Sequence, residues 1–401
     1  MSEIRAELPQ LDEIASLIER HGNAYFKVIS ANDLGLTGSH QKGFYLSKMC
    51  WEYFTPQPPV NGINSEYSVS VDWDNGQSTA SAVKWYGRET RSEYRLTRFN
   101  RIRGFYALLP EALGSVLCLI RVRDARFRAF VISSDDDIEY LASSFGFNLA
   151  LRGWAILDAT NPEQDRETQA QACQSSRIAE LVPRLGQFPD TRQMSLLAQQ
   201  VVDDCRGTEQ SPDARILSLV AAEYELFRAI EGELHREQIT GGFEGVDEFL
   251  ILAQTITQRR KSRAGRSLEL HVESILRDAQ LEFQSQPQLD GTQPDLILPS
   301  ATAYYEASDP DRQVMVVAVK TTCRDRWRQV LEEAPRVSVR YLLTLQRGIS
   351  SSQMRAIADA GIQLVVPQPL QEAYASEDRE RMISVSEFLE MARGLRPQQP
   401  G

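Results

Sequence analysis

The sequence predicts a multidomain chain. A mainly β half, packed as a closed or nearly closed barrel with a few helices, precedes an α/β half in which helices flank a mixed sheet. Three observations carry this. At 401 residues the chain has room for two to four domains of roughly 100–200 residues each. Residues 25–133 hold short β-rich runs broken by turn residues, the mark of an all-β unit. After about residue 194 the apolar spacing becomes helical, then helices and strands alternate, as in a layered α/β core. We place a first domain at 1–160, a linker at 161–193 and a second domain at 194–401.

The elements follow in order. Leu11, Ile14, Leu17 and Ile18 have helical spacing, so residues 1–20 hold a short amphipathic helix. The clearest strands are YFKVIS (25–30), YSVSVDW (67–73), SAVKWY (81–86), SVLCLIRV (115–122) and RFRAFVIS (126–133), with a helix at 135–146 behind them. Residues 159–193 are rich in Gln, Asp, Pro and Ser and low in apolar periodicity, hence the linker. Ile216, Leu219, Val220, Phe227, Ile230 and Leu234 mark a long helix; 246–257 is a second and 265–280 a third. Strands are expected at 281–286, 295–299 and 314–320, a helix at 325–334, a strand at 340–346, a helix near 350–360, a strand at 362–367 and a last helix near 384–394.

Composition excludes several classes. Hydrophobic residues at 42% and charged residues at 25% are ordinary for globular chains and exclude wholesale disorder. No apolar run approaches the roughly 20 residues of a membrane span, and the first residues lack a basic patch with an apolar core, so no secretory signal is expected. Cys50, Cys118, Cys173, Cys205 and Cys323 are scattered, without a CxxC. That pattern offers no zinc site and suits a reducing cytoplasm. The net charge of −11 argues against nucleic acid as a partner, unless basic residues cluster.

They do cluster, beside a carboxylate constellation. Pro294-Asp295 opens one apolar strand, and Lys320 closes another 25 positions later. Phosphodiester hydrolysis needs such groups: carboxylates to hold Mg²⁺ and an ammonium to offset charge in the transition state. A second acid is expected two residues before the lysine, but Ala318 stands there. Glu332, Glu333, Glu269 and Glu273 are all within reach on neighbouring helices, and spacing does not choose among them. Arg324-Asp325-Arg326 follows directly. Arg reads guanine O6 and N7 bidentately and Asp accepts from cytosine N4, so the run suits a G·C pair. Residues 259–266, RRKSRAGR, hold five basic groups and no acid. Arg259, Arg260, Lys261 and Arg263 make a plausible phosphate clamp there, against the plainer reading of a solvated loop.

A second basic stretch lies in the β half. Seven basic residues and two acids fall between Lys84 and Arg103. Alternate residues of a strand share a face, so Glu89, Arg91, Glu93 and Arg95 would point one way, toward base edges. Arg88, Arg98, Arg101 and Arg103 would touch phosphates. The loop SANDLGLTGSHQKG (30–43) would present a second edge; it lacks the Gly-Lys-Ser/Thr of a phosphate-cradling loop.

SANDLGLTGSHQ (30–41), GFEGVDEF (242–249), RRKSRAGRSLELH (259–271), PDLILPSATAY (294–304), VKTTCRDRWRQ (319–329) and QLVVP (363–367) resemble the EcoRII-type restriction endonucleases, over nearly the whole chain. The resemblance implies an N-terminal effector DNA-binding pseudobarrel and a C-terminal restriction-endonuclease-like core. It implies homodimers that cut double-stranded DNA with Mg²⁺ at CC/GG-flanked sites such as CC(A/T)GG and leave 5′-phosphates. The N-terminal domain would bind an effector site and autoinhibit the catalytic dimer. A cognate methyltransferase would act on the same site.

The resemblance also assigns residues. Asp295 and Lys320 match the catalytic pair, Glu333 the relocated acid, Glu269 an additional acid and Tyr304 a tyrosine of the catalytic region. Asp295 and Glu333 would ligate the metal. Arg324, Asp325 and Arg326 match the G·C reader, although the family's namesake has lysine at the first. His40, Tyr45, Arg91, Glu93 and Arg95 fall on effector-DNA positions. Two further basic positions of the family are Glu89 and Tyr94 here. The expected function is therefore a type II, and within that IIE, site-specific deoxyribonuclease. A catalytically inactive DNA-binding regulator and a structure-specific repair nuclease are the rivals.

Overall fold

A computed structural model of the chain describes residues 8–37, 42–88, 92–99, 102, 104–158, 169–206 and 210–395. Two compact units emerge. The first comprises Met1–Arg166 with the short segments Arg347–Ser351 and Ala373–Asp378; the second comprises Glu167–Gln346, Ser352–Glu372 and Arg379–Gly401.

In the first unit, strands β1 (Asn23–Val28), β2 (Phe44–Leu46), β3 (Ser65–Trp73), β4 (Ser78–Tyr86), β5 (Glu93–Thr97), β6 (Val116–Arg123), β7 (Arg126–Ile132) and β8 (Trp154–Asp158) form one sheet in the order β2-β5-β4-β3-β7-β6-β1-β8. All neighbours are antiparallel except β3 and β7. Successive side chains on a strand point to opposite faces, and both faces are covered here. Tyr25, Leu117 and Leu119 face a core with Trp73, Trp85, Tyr94 and Phe105. Their neighbours Phe26, Cys118 and Ile120 face the other way, onto Ile14 and Ile18 of α1 (Leu8–His21) and Leu141 of α3 (Asp135–Phe145). Short helices α2 (Trp51–Phe54) and α4 (Leu149–Arg152) complete the unit. β1 and most of β6 are buried on both sides, so they read as nearly continuous apolar stretches, whereas β3 alternates between exposed and buried residues. The mainly β half is as expected; β5 begins inside the stretch read as extended at 89–95, while β2 and β8 are strands that periodicity did not mark out.

The second unit begins with helices α5 (Gln169–Leu181), α6 (Thr191–Arg206), α7 (Pro212–Gly241) and α8 (Val246–Asp278). Ile178 and Val182 bury against Met194, Val201, Leu219 and Phe227. The stretch read as linker therefore contains a packed helix: Ile178, Leu181, Val182 and Leu185 make a helical stripe only two turns long, lost among glutamines. Cys173 and Cys205 form a disulfide with a Cα–Cα distance of 5.7 Å, while Cys50, Cys118 and Cys323 are buried free thiols. Sequence spacing concealed that pair. The expected second and third helices are one continuous rod. RRKSRAGR is helical rather than a loop, because a single glycine among good helix formers costs only about 1 kcal/mol.

The sheet of this unit joins β9 (Gln284–Ser285), β10 (Leu296–Leu298), β11 (Met315–Lys320), β12 (Arg340–Thr344), β13 (Ile362–Val365) and β14 (Met382–Ile383) in the order β14-β13-β12-β11-β10-β9. The pairs from β11 to β14 are parallel, and β9, β10 and β11 are antiparallel. This is the expected mixed sheet. Helices α9 (Ala301–Glu306), α10 (Pro310–Gln313), α11 (Ser351–Asp359), α12 (Gln368–Gln371) and α13 (Val385–Arg393) connect it. In place of the expected helix at 325–334 there is a 3₁₀ turn, Arg326–Glu332. With three residues per turn, its buried Trp327 and Val330 lie above one another, and Glu333 is next in that line. Asp213, only 2% exposed, fastens the helical layer: its carboxylate accepts from the backbone of Gln368 (2.9 Å), Val385 (2.8 Å) and Ser386 (3.1 Å).

Candidate active site and nucleic-acid interface

The antiparallel register of β10 and β11 pairs Leu296 with Val317, which sets Asp295 beside the end of β11. Its Oδ2 accepts from the Val319 backbone N–H at 2.7 Å and from Lys320 Nζ at 3.0 Å. Val314, Met315, Val316, Val317, Ala318 and Val319 are all buried, so an apolar strand delivers the lysine to a rigid place.

Of the four glutamates in reach, two face this pair. Glu333 follows the 3₁₀ turn, and its Oε2 is buried without a hydrogen-bond partner among the described residues. Burial first, then the negative charge of Asp295, push its carboxyl up to about 7, against the pull of Lys320 and Arg340. Glu269, on α8, is also raised by burial and by Asp295, and lowered by Gln286, Lys320 and Arg266. Gln286 Nε2 donates to Glu269 Oε2 at 3.1 Å, and the Gln286 backbone N–H donates to the Asp295 carbonyl at 2.8 Å. Glu273 is instead taken by Ser285 (2.8 Å) and Arg277 (2.5 Å), and Glu332 is exposed. Two half-buried acids whose affinity for protons is raised by burial and by the charge of Asp295 make a place into which a cation fits. Among the described residues no group of three or more His, Cys, Asp or Glu is placed to hold a metal ion, so any ion here would rest on two carboxylates.

Two residues that sequence reasoning missed frame the site. Arg340, at the start of β12, is 9% exposed; it donates to the carbonyls of Glu333 (2.5 Å) and Ala334 (3.4 Å). Gln286 adopts a left-handed φ of 47° to reach Glu269. A positive φ at a non-glycine residue stands out only in coordinates. Tyr304 is fully buried. Its hydroxyl donates to Asp290 at 2.7 Å and accepts from the Arg336 N–H at 3.2 Å, so it packs behind the Glu333 turn beside Ala334.

The reader run leaves β11 as a turn. Arg324 is buried, Asp325 exposed and Arg326 half-buried. The clamp residues are committed to the helix pair. Arg260 donates to Glu231 at 2.8 and 2.6 Å. Arg259 lies 4.4 Å over the Phe188 ring and 3.3 Å from His235 Nε2. Lys261 is exposed, and the side chain of Arg263 lies outside the described residues.

In the barrel, β2 and β5 pair Tyr45 with Arg95. Arg95 Nε donates to Glu93 Oε1 at 3.0 Å and its Nη2 to Asn32 Oδ1 at 3.3 Å. Glu93 and Arg95 thus share one face of β5. Burial and the nearby Glu93 raise the Tyr45 hydroxyl above its ordinary value, against Arg95. Arg88 is exposed, and Arg98 pairs with Glu66. His40, Glu89, Arg91, Arg101 and Arg103 lie outside the described residues.

Comparison with known proteins agrees with both halves. Residues 227–389 match the family described as EcoRII C terminal, and residues 20–146 the family described as restriction endonuclease EcoRII, N-terminal. The type II restriction enzyme EcoRII of Escherichia coli is 31% identical over 387 residues, 92% of this chain and 94% of that one. The type II restriction enzyme SsoII of Shigella sonnei is 28% identical over 155 residues, 36% of this chain and 50% of that one. Among solved structures, metal-depleted Ecl18kI in complex with uncleaved DNA matches with a TM-score of 0.43 at 20% identity, over 57% of this chain and 85% of that one. The protein is thus a type II restriction endonuclease, a nuclease that binds DNA. More particularly, it belongs to the EcoRII family, with the family's N-terminal and C-terminal domains both present. No described helix is long and apolar enough to cross a membrane.

Proposed function

We propose that the chain is a cytoplasmic, homodimeric, Mg²⁺-dependent endonuclease that cuts double-stranded DNA at a CC/GG-flanked site such as CC(A/T)GG and leaves 5′-phosphates. The observation that carries this is the buried, unpartnered Glu333 Oε2 beside the Asp295–Lys320 pair. Asp295 and Glu333 would hold Mg²⁺, with a main-chain carbonyl near Val319 as a further oxygen. Two carboxylates leave the remaining positions to phosphate oxygens and water, the usual habit of this ion. When bound, the ion supplies Lewis-acid polarisation of the scissile phosphate.

The chain's own groups do the rest. Lys320 offsets charge at the pentavalent phosphorus and orients the attacking water. Glu269, steadied by Gln286, adds a third carboxylate at the edge of the site. Tyr304 holds the Glu333 turn from behind. Arg324, Asp325 and Arg326 read G·C pairs in the major groove, with Lys261 and Arg263 as the basic margin toward phosphates, Arg259 and Arg260 being held within the helical layer. A two-fold site presents two scissile phosphates, hence a dimer. Tyr45, Glu93 and Arg95, with His40, Arg88, Arg91 and Arg98, bind the effector duplex, and the N-terminal domain restrains cleavage until that duplex is bound. A cognate methyltransferase protects the same sites.

A plasmid digest with end sequencing tests this, with Asp295→Ala as the control. Cuts at CC/GG-flanked sites by the native chain and none by the variant are expected. Undiminished cleavage by the variant removes Asp295 from the mechanism. No cuts by either points to an inactive regulator, and cuts set by DNA structure alone to a repair nuclease.

A further inference from the structure

One buried carboxylate fastens the candidate DNA edge of the barrel. Asp33 is 0% exposed, where an ionised group is costly unless paired and fully hydrogen-bonded. Its Oδ2 accepts from Lys27 Nζ. The same oxygen accepts from the Ser30 N–H and the Ser30 hydroxyl, both at 2.8 Å. Its Oδ1 accepts from the Tyr45 N–H at 2.6 Å, and its carbonyl accepts from the Gly43 N–H at 3.0 Å. Lys27, on β1, is itself 5% exposed and also donates to the Val28 carbonyl at 3.0 Å. The carboxylate therefore ties β1, the turn at residues 30–33 and the start of β2 together. The ring then closes on the reading residues: Tyr45 lies opposite Arg95, and Arg95 donates to Asn32, the neighbour of Asp33.

We infer that Asp33 is a positioning residue for DNA recognition by the N-terminal half, acting through Tyr45 and Asn32 to aim Arg95 and Glu93. The inference rests on the reading of those residues as DNA contacts. Asp33 reaches no duplex itself, because it is sealed inside. Only a carboxylate fits: three donors converge on Oδ2 and a fourth on Oδ1, so an amide nitrogen placed at either oxygen would face a donor, and Lys27 would lose its counter-ion. A merely structural charge pair would tolerate removal of both charges together. A positioning carboxylate would not, because the one oxygen of an asparagine can serve Ser30 or Tyr45 and not both, and its amide nitrogen would face the donor left over.

The test is hydrogen exchange on the full chain, titrated with a duplex carrying CC(A/T)GG or a scrambled duplex. The readout is the duplex concentration giving half-protection of peptides from 42–54 and 92–99, with the exchange of β6 and β7, strands of the same unit, as a check on folding. Asp33→Asn is expected to raise that concentration about tenfold or more for the specific duplex. Lys27→Met with Asp33→Asn is expected to regain thermal stability and not half-protection. Half-protection within twofold of the native chain in Asp33→Asn, or restored in the double variant, overturns the inference. Arg95→Ala is run beside them: if it too changes nothing, the DNA-binding reading of this half fails, whereas a loss in Arg95→Ala alone sinks only the role of Asp33. If neither Asp33 variant folds, Ser30→Ala, which removes one donor, is read in the same way. Unchanged half-protection in Ser30→Ala also overturns the inference.

Discussion

Glu333→Gln should stabilise the protein while abolishing its cleavage. The glutamine keeps the shape of the side chain and removes its charge. In the folded chain the Glu333 carboxyl is pushed from an ordinary 4.5 up to about 7, first by burial and then by Asp295. The folded state thus holds that proton more tightly than the unfolded chain does. Its stabilising contribution is fully present below about 4.5 and is lost as pH rises toward 7. At about 1.4 kcal/mol per pH unit, the ionised carboxylate costs the folded state about 3 kcal/mol above pH 7. Urea denaturation of both forms without metal, at pH 8 and pH 4.5, measures this. The variant should be about 3 kcal/mol more stable at the higher pH and equal at the lower. A variant that is less stable at pH 8, or a difference that does not change with pH, would refute the electrostatic account of the site. Cleavage by the native chain at limiting Mg²⁺ should rise with pH through the same range, since only the ionised Glu333 can serve as a ligand.

Further outcomes follow from other residues. Asp213→Ala should cost about 3 kcal/mol in a urea titration, because three backbone N–H groups lose their buried acceptor at once; a loss under 1 kcal/mol would mean that water replaces the carboxylate. Arg326→Ala should weaken binding to a CC/GG duplex by about 1–3 kcal/mol and relax discrimination at one base pair. An equal loss on scrambled DNA in the binding assay would make it a phosphate contact instead. A chain beginning at Glu167 keeps α5 and its disulfide with α6. It should cut a single-site plasmid faster than the full chain, and an equal or slower rate in a timed digest would argue against restraint by the N-terminal half.

Much of this was legible from residues alone. The five longest barrel strands and the mixed sheet followed from apolar runs, because buried strands leave a strong local trace. Asp295 and Lys320 were legible because each is a charged residue directly bordering a strongly apolar run. The choice among Glu332, Glu333, Glu269 and Glu273 was not, since it depends on which side chain Ser285 and Arg277 have already taken. The 3₁₀ turn was read as an α-helix, because Trp327 and Val330 are three apart and suit either period. Arg340, Gln286 and Asp33 gave no signal: their partners are main-chain groups or side chains that only the fold brings near, and a sequence does not show which of these a side chain will meet. The committed Arg260 shows the converse. A basic run invites a phosphate, yet its nearest acid, Glu231, lay on a helix that spacing could not bring beside it.

That last pair has a consequence for how α8 is aimed. Arg260 meets Glu231 of α7, and eleven residues later His271 Nε2 lies 2.7 Å from Glu223, also of α7. At about 100° per residue, those two positions lie nearly in line on one side of the rod. Glu269, nine residues after Arg260, points about half a turn away, on the side of Asp295 and Lys320. Two grips on one side thus set the angular phase of a group on the other. Inserting one residue between Arg260 and Glu269 would swing the glutamate through about a quarter of the compass, whereas inserting seven would bring it nearly home.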